Sequence, residues 1–291
     1  MSGVAAAREI IERVGKLAGS RPVKWRGVNQ GHTAAQTFVA VLANGESVFV
    51  KQASDAQTAA WLRRERTIYE TVRADFLPRL MGWSENGLPL LVLEDVSGGR
   101  TAPPWNDDAI KSVRTVLDKL AATLMPAEFP ALENYPRRLK RWNEIACERD
   151  AFLRLGLVRA DWLEHSLPVL IAAEDDAVLT GSSLVHSDIR SDNICFLADR
   201  TVVVDWSWAC RGNSKFDLVS WLPSLHAEGG PAPWDMLLEE PGLIAMQAGY
   251  LAHRVMHPGE QDPAICRLQL DQLRSALPWA SKALRLEPVS F

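Results

Sequence analysis

Asp188, Asn193 and Asp205 are the residues of this 291-residue chain whose types and spacing suit them to one chemistry. The first two stand in the run His186-Ser187-Asp188-Ile189-Arg190-Ser191-Asp192-Asn193, which reads H-x-D-x-x-x-x-N. The third closes the apolar run Val202-Val203-Val204-Asp205 and is followed by Trp206. A carboxylate at Asp188 can accept a hydroxyl proton and aim the oxygen at a γ-phosphate. The amide oxygen of Asn193 and the carboxylate of Asp205 are hard oxygen ligands, suited to a Mg²⁺ ion that phosphates also hold. Together these groups would carry out phosphoryl transfer to a hydroxyl. Asp192 fits the pattern only as a spacer, and His186 fits as a buttress of the loop.

Such side chains need a frame. Residues 5–18 place Ile10, Ile11, Val14 and Leu17 at helical spacing. A strand is expected at 23–28. Two β-branched runs, 37–42 and 47–51, flank Asn44-Gly45, and a second pair, 80–84 and 90–94, flanks Asn86-Gly87; both read as hairpins. Between the hairpins lies a helix of about residues 55–74, with Ala60, Trp61, Ile68 and Val72 among its apolar positions and Glu65 at its middle. Gly and Pro residues at Ser97-Gly98-Gly99 and Pro103-Pro104 punctuate the chain, so the expected division is residues 1–96 and 97–291. The second part reads as mainly helical. One stripe runs through Ile110, Val113, Val116, Leu117, Leu120 and Leu124, and further helices are expected near 137–155, 160–178, 214–226, 234–256 and 262–286.

Composition narrows the classes. Apolar content of 47% and charge of 23% are globular values. A net charge of −4 gives no basic stripe for nucleic acid, which is therefore not an expected partner. The four cysteines, Cys147, Cys195, Cys210 and Cys266, have no C-x-x-C spacing, which suits a reducing compartment. Arg8, Glu9, Glu12 and Arg13 interrupt the apolar N-terminus, and no run approaches the length of a membrane span. The expectation is a cytoplasmic protein, monomer or homodimer, that does not bind membranes.

The motif order resembles that of the aminoglycoside phosphotransferase and choline kinase superfamily. The resemblance runs through Asp205-Trp206-Ser207-Trp208-Ala209 and Phe216-Asp217-Leu218, similar to the superfamily's D-W-x-x-A and later D-L-A elements. It implies an α+β, bilobal protein-kinase-like fold: a small five-stranded antiparallel N-terminal lobe with one helix, and a larger, mainly helical C-terminal lobe. It also implies ATP and Mg²⁺. Lys51 would pair with the nucleotide's α- and β-phosphates, and Glu65 would hold the ammonium, with Glu70 the other carboxylate on that helix. The carbonyl of Glu94 and the N–H of Val96 would read the base; backbone groups leave GTP open beside ATP. Gly27-Val28-Asn29-Gln30-Gly31-His32-Thr33 occupies the place of a phosphate-covering loop but reads only G-x-x-x-G; Thr33 is its candidate hydroxyl.

Arg190 falls two residues after Asp188, where serine/threonine kinases often carry a lysine; it is a candidate for stabilising the transferred phosphoryl group or a partner in a structural salt bridge. Residues 222–235 read as a Gly/Pro-rich break between helices, with His226, Glu228 and Asp235 as candidates for the acceptor. The resemblance suggests an antibiotic such as an aminoglycoside, and hence resistance. The alternatives are a metabolite kinase for a sugar, an amino alcohol or a nucleoside, and a nucleotide-binding pseudokinase scaffold. Intact Lys51, Asp188, Asn193 and Asp205 argue against the scaffold. Trp206 with no following Gly, and no Ala-Pro-Glu segment, argue against a protein kinase.

Overall fold

The computed structural model describes residues 8–28, 35–135, 139–259 and 263–289. The chain divides into two compact units, one of residues 1–102 with 192–209, the other of residues 103–191 with 210–291. Asn193 and Asp205 therefore belong to the same unit as Lys51, although nearly a hundred residues of the other unit precede them in the chain.

In the first unit, helix α1 (Arg8–Ala18) is followed by strands β1 (Pro22–Gly27), β2 (Gln36–Leu42) and β3 (Ser47–Gln52), helix α2 (Ala56–Thr71), and strands β4 (Leu80–Ser84) and β5 (Leu90–Glu94). The five strands form one antiparallel sheet in the order β1-β2-β3-β5-β4. The turn glycine Gly45 has φ +87°, a conformation that costs glycine nothing, and its N–H donates to the Leu42 carbonyl at 3.0 Å. Strand alternation sets the faces: Val48 and Val50 join Phe38, Ala40, Leu42, Leu90 and Val92 in a core closed by Ile10 and Val14 of α1. Close approach of α1 requires Gly82, since a Cβ there would meet Leu17 Cβ at 2.7 Å. Lys51, odd-numbered on β3, points to the opposite face from Val48 and Val50.

An Asp55–Thr58 capping box starts α2: Thr58 N donates to Asp55 Oδ1 at 2.8 Å, and Asp55 N donates to Thr58 Oγ1 at 3.0 Å. Its buried stripe is Thr58, Ala59, Leu62, Glu65, Ile68 and Tyr69, so Ala60, expected among the apolar positions, faces out instead. Strands β6 (Ser183–Val185) and β9 (Cys210–Gly212) pair in the second unit, while β7 (Ile194–Phe196) and β8 (Thr201–Val203) form a hairpin in the first.

The second unit is helical, from α3 (Asp107–Ala122) to a long helix at Pro263–Ala283. Asn106 caps α3 by accepting from Ala109 N at 2.9 Å. The expected stripe ends early: α3 stops at Ala122, and Leu124 lies beyond it, 72% exposed. Among the described residues of 137–155 stand the short helices Trp142–Cys147 and Arg149–Leu153, and 234–256 splits into Pro233–Met236 and Pro241–Met256. Pro241 can open a helix because the first turn has no partner for the N–H it lacks.

One buried carboxylate fixes this helical packing. Glu174, fully buried, accepts from Arg141 N at 2.8 Å and Trp142 N at 3.0 Å, supplying the start of the Trp142–Cys147 helix. Burial pushes its pKa up from the ordinary 4.5 to about 7, against the pull of those two N–H donors. A carboxyl raised in the folded state binds its proton more tightly there than in the unfolded chain. Its effect is thus a loss of stability as pH rises from about 4.5 through 7, with no further change above. The expected result is that the thermal midpoint of native protein falls relative to that of Glu174→Gln across this window; parallel curves would remove the titration.

Candidate active site

Four side chains converge in the first unit. Lys51 Nζ sits 2.9 Å from each carboxylate oxygen of Glu65 and 3.4 Å from Asp205 Oδ1. Glu65 has no exposed surface, and Tyr69, one helical turn on, donates to its Oε1 at 3.0 Å. Burial disfavours the ammonium charge, but the carboxylates of Glu65 and Asp205 outweigh it, and the Lys51 pKa is raised. The lysine is a fixed cation. Lys51, Glu65 and Asp205 are the charged groups of a pocket lined also by Ala35, Thr58, Trp61, Leu62 and Ser207. Glu70, the other carboxylate considered for Lys51, points away to Arg66 at 2.8 Å.

Asp205 has φ +67° and ψ +65°, the left-handed region that Asp and Asn tolerate best among residues with a side chain. Ser207 Oγ donates to its Oδ1 at 2.9 Å. Behind it, Trp206 is fully buried, donates to the Val203 carbonyl at 2.9 Å, and packs its ring 5.8 Å from Phe76. That indole is core and has no face to offer an acceptor; Trp208, partly exposed, lies against Trp61 at 5.8 Å. The β7–β8 hairpin pairs Ile194 with Val203, and Val204 N donates to the Asn193 carbonyl at 2.9 Å. Asn193 and Asp205 thus stand at the same end of one hairpin. Asn193 is buried, while its neighbour Asp192 is exposed.

Among the described residues there is no cluster of three or more His, Cys, Asp or Glu side chains fit to hold a metal alone. One amide oxygen and one carboxylate oxygen fit an ion of Mg²⁺ type, which keeps waters and takes further oxygens from a substrate's phosphates.

The Glu94 side chain has other work than nucleotide reading. Arg200 Nη2 donates to both its oxygens, at 2.7 and 2.8 Å, and Arg79 N donates at 3.0 Å. Burial would raise its pKa, but these donors hold it below the ordinary value. Val96 is buried, and its carbonyl accepts from Gly99 N at 3.0 Å in a tight turn. Thr33 lies outside the described residues.

In the second unit the loop that carries Asp188 is anchored by Asp217. That carboxylate, 3% exposed, accepts from His186 N at 2.7 Å and Ser187 N at 2.8 Å. Burial pushes its pKa up; the two N–H donors pull it back, and nearby Asp188 raises it. His186 is buried, and its Nδ1 accepts from Asp188 N at 3.2 Å, the buttress its position in the motif suggests. Asp188 and Arg190 are each about one-third exposed, with Arg190 Nε 3.6 Å from Asp188 Oδ1. The guanidinium therefore stands beside the carboxylate of its own loop. Asp217→Ala would leave two buried backbone donors unpaired, for an expected loss of about 2–5 kcal/mol in stability by denaturant titration. A loss below about 1 kcal/mol would show that water replaces the carboxylate.

The acceptor candidates lie at the end of the helix Phe216–Ala227 and in the short helix that follows. His226 Nδ1 lies 3.1 Å from the Gly230 carbonyl, and its ring is edge-on to Trp234. Glu228 accepts from Ser191 Oγ at 2.6 Å and from Trp105 Nε1 at 2.8 Å. Asp235 is exposed on the short helix Pro233–Met236. The expected break at 222–235 begins later than the sequence suggests, because the helix Phe216–Ala227 runs through Pro223.

A model of the phosphotransferase enzyme family matches residues 24–255. The chain belongs to the phosphotransferase enzyme family. The matched span of this family takes in Lys51, Glu65, Asp188, Asn193, Asp205 and Asp217. No curated protein matches the chain closely enough to count as a relative. Among solved structures, an aminoglycoside phosphotransferase from Alicyclobacillus acidocaldarius is similar with a TM-score of 0.61 and 14% identity, over 98% of this chain and 97% of that one. A thermostable mutant of an aminoglycoside phosphotransferase, in ternary complex with AMP-PNP and hygromycin B, gives 0.56 at 14% identity, over 95% and 98%. A choline/ethanolamine kinase family protein from Mesorhizobium loti gives 0.54 at 15%, over 89% and 91%. At these identities the likeness is one of fold: α+β and protein-kinase-like, with the five-stranded antiparallel sheet in one unit and most helices in the other. No helix among the described residues is long and apolar enough to cross a membrane.

In this phosphotransferase, sequence reasoning missed Tyr69, Ser207, Arg200, Ser191 and Trp105. Tyr69 had a local signal, since it follows Glu65 by four residues on the same helix face. Ser207 sits two residues after Asp205, a usual offset for a hydroxyl that orients a carboxylate. Arg200, Ser191 and Trp105 meet partners 37 to 123 residues away, and nothing local marks them.

Proposed function

We propose that the chain is a small-molecule kinase that moves the γ-phosphoryl group of ATP to a hydroxyl of a small acceptor. The observation that carries this reading is the buried Lys51 ammonium held by Glu65 and Asp205, at the unit that also carries Asn193. A cation so fixed suits the phosphates of a nucleotide. Fold neighbours solved with AMP-PNP and with ADP support nucleotide as the donor. Mg²⁺, held by Asn193 and Asp205, would spread the charge of the phosphate oxygens.

The chain's own groups supply the rest. Asp188 accepts the acceptor's hydroxyl proton late and orients its oxygen, the modest demand that a loose phosphoryl transition state makes. Arg190, beside Asp188, stabilises charge on the transferred group and limits the carboxylate's rotation. The Glu94 carbonyl and Val96 N–H read the base, and Thr33 contacts phosphate. His226 and Asp235 are the remaining acceptor candidates.

Fold neighbours act in complexes with hygromycin B and spectinomycin, so hydroxylated antibiotics head the acceptor classes, with sugars and amino alcohols next. The test is ADP release from Mg²⁺ATP across aminoglycosides, other hydroxylated antibiotics, choline, sugars and nucleosides, with Asp188→Ala as control. Stimulation by one class that the variant loses supports the reading. Stimulation that the variant keeps contradicts it.

A further inference from the structure

We infer that Glu228 is a positioning residue that acts on the catalytic loop through Ser191 rather than by binding the acceptor; the inference rests on the role given to Asp188 above. One helix, Phe216–Ala227, grips that loop at both of its ends. At the start, Asp217 takes the N–H groups of His186 and Ser187. At the end, Glu228 takes the hydroxyl of Ser191 at 2.6 Å, the short distance of an O–H bond to a carboxylate. Asp188 lies between these two anchors.

The lengths leave little slack. Asp217 and Glu228 are about 16 Å apart along a helix rising 1.5 Å per residue. Residues 186–191, from the first anchored N–H to Ser191, span about 17 Å when fully extended, and Ser187 at φ +67° shortens that reach. A loop held at both ends of such a span keeps Asp188 in one place, and releasing the Ser191 end frees a segment three residues from it.

Glu228 is itself fixed. Its second oxygen accepts from Trp105 Nε1 at 2.8 Å, and the Trp105 ring stands edge-on, 5.6 Å from fully buried Trp221 of the same helix. Both carboxylate oxygens thus face donors. A glutamine at 228 can serve both, its Oε1 accepting from Trp105 Nε1 and its NH₂ donating to the Ser191 hydroxyl, which accepts as readily as it donates. An alanine at 228 serves neither.

The chemistry predicts a rescue. Backbone hydrogen exchange is measured in the full chain without acceptor, and basal ADP release is measured with Mg²⁺ATP alone. Ser191→Ala and Glu228→Ala should each speed exchange at the amides of residues 187–193 by about 10- to 100-fold, the loss of a hydrogen bond to a charged group. Basal kcat should fall while KM for ATP holds. Glu228→Gln, which keeps both bonds, should retain most of the native protection and rate. Exchange unchanged in Ser191→Ala and Glu228→Ala, or a Glu228→Gln variant no better than Glu228→Ala, overturns the inference. Asp188→Asn separates the two claims: if it retains basal ADP release, the role of Asp188 itself fails; if it loses release while Ser191→Ala and Glu228→Ala behave as native, only the positioning role fails.

Discussion

Asp188→Asn is expected to lower kcat by about 100- to 10,000-fold, the range for removing a general base, while ATP affinity stays within about threefold of native. Asparagine matches aspartate in shape. The Asp188 N–H bond to His186 Nδ1 belongs to the backbone and survives, so the loop keeps its anchor. What is lost is a site for the acceptor's proton and the charge that faces Arg190 at 3.6 Å. Arg190→Ala then becomes informative. If the guanidinium serves the phosphoryl group, kcat falls by at least about tenfold in a folded protein. An Asp188→Asn enzyme with kcat within about tenfold of native would take the base away from this residue.

Asp205→Asn is the second large effect. The expected fall in kcat is about 100- to 1,000-fold, accompanied by a higher Mg²⁺ concentration for half-maximal rate. Asparagine is the substitution of choice because position 205 has φ +67°, which Asn adopts more readily than other residues with a side chain. It keeps an oxygen for the Ser207 hydroxyl. The Lys51–Glu65 pair, at 2.9 Å to both oxygens, does not depend on it. The two variants should therefore separate: Asp205→Asn shifts metal dependence and Asp188→Asn does not. An unchanged Mg²⁺ requirement in Asp205→Asn would remove that residue from the metal site.

How much of this was legible depends on how local each signal is. The first two hairpins were legible because Asn44-Gly45 and Asn86-Gly87 are turn residues between apolar runs. Lys51 at the end of β3 and Glu65 at the middle of α2 follow from those elements once a carboxylate is sought for the lysine. The return of residues 192–209 to the first unit was not legible. Residues 192–209 leave the sequence neighbourhood of the helical unit because the β7–β8 hairpin packs with the first unit, where Val203 N donates to the Phe76 carbonyl at 2.8 Å. Local sequence carries no record of a bond across more than a hundred residues.

Two boundaries differ from the local pattern. The helix expected near 214–226 is present, and the break expected from 222 begins only after Ala227, since a proline forfeits one hydrogen bond and buried Trp221, Leu222 and Leu225 hold the helix in place. Leu124 continued an apolar stripe on paper, yet α3 ends at Ala122, where Thr123 takes an extended conformation. Glu228 was picked out by its place in the chain as an acceptor ligand. Its bonds to Ser191 and Trp105, across 37 and 123 residues, are contacts of which local sequence carries no record.

The most direct measurement is phosphorus NMR with mass spectrometry of the product formed from Mg²⁺ATP and the acceptor that most stimulates ADP release. The account predicts a single added phosphoryl group joined through oxygen as a phosphate ester, and none with Asp188→Asn. Phosphate joined to nitrogen, or ADP and inorganic phosphate with the acceptor unmodified, would contradict it.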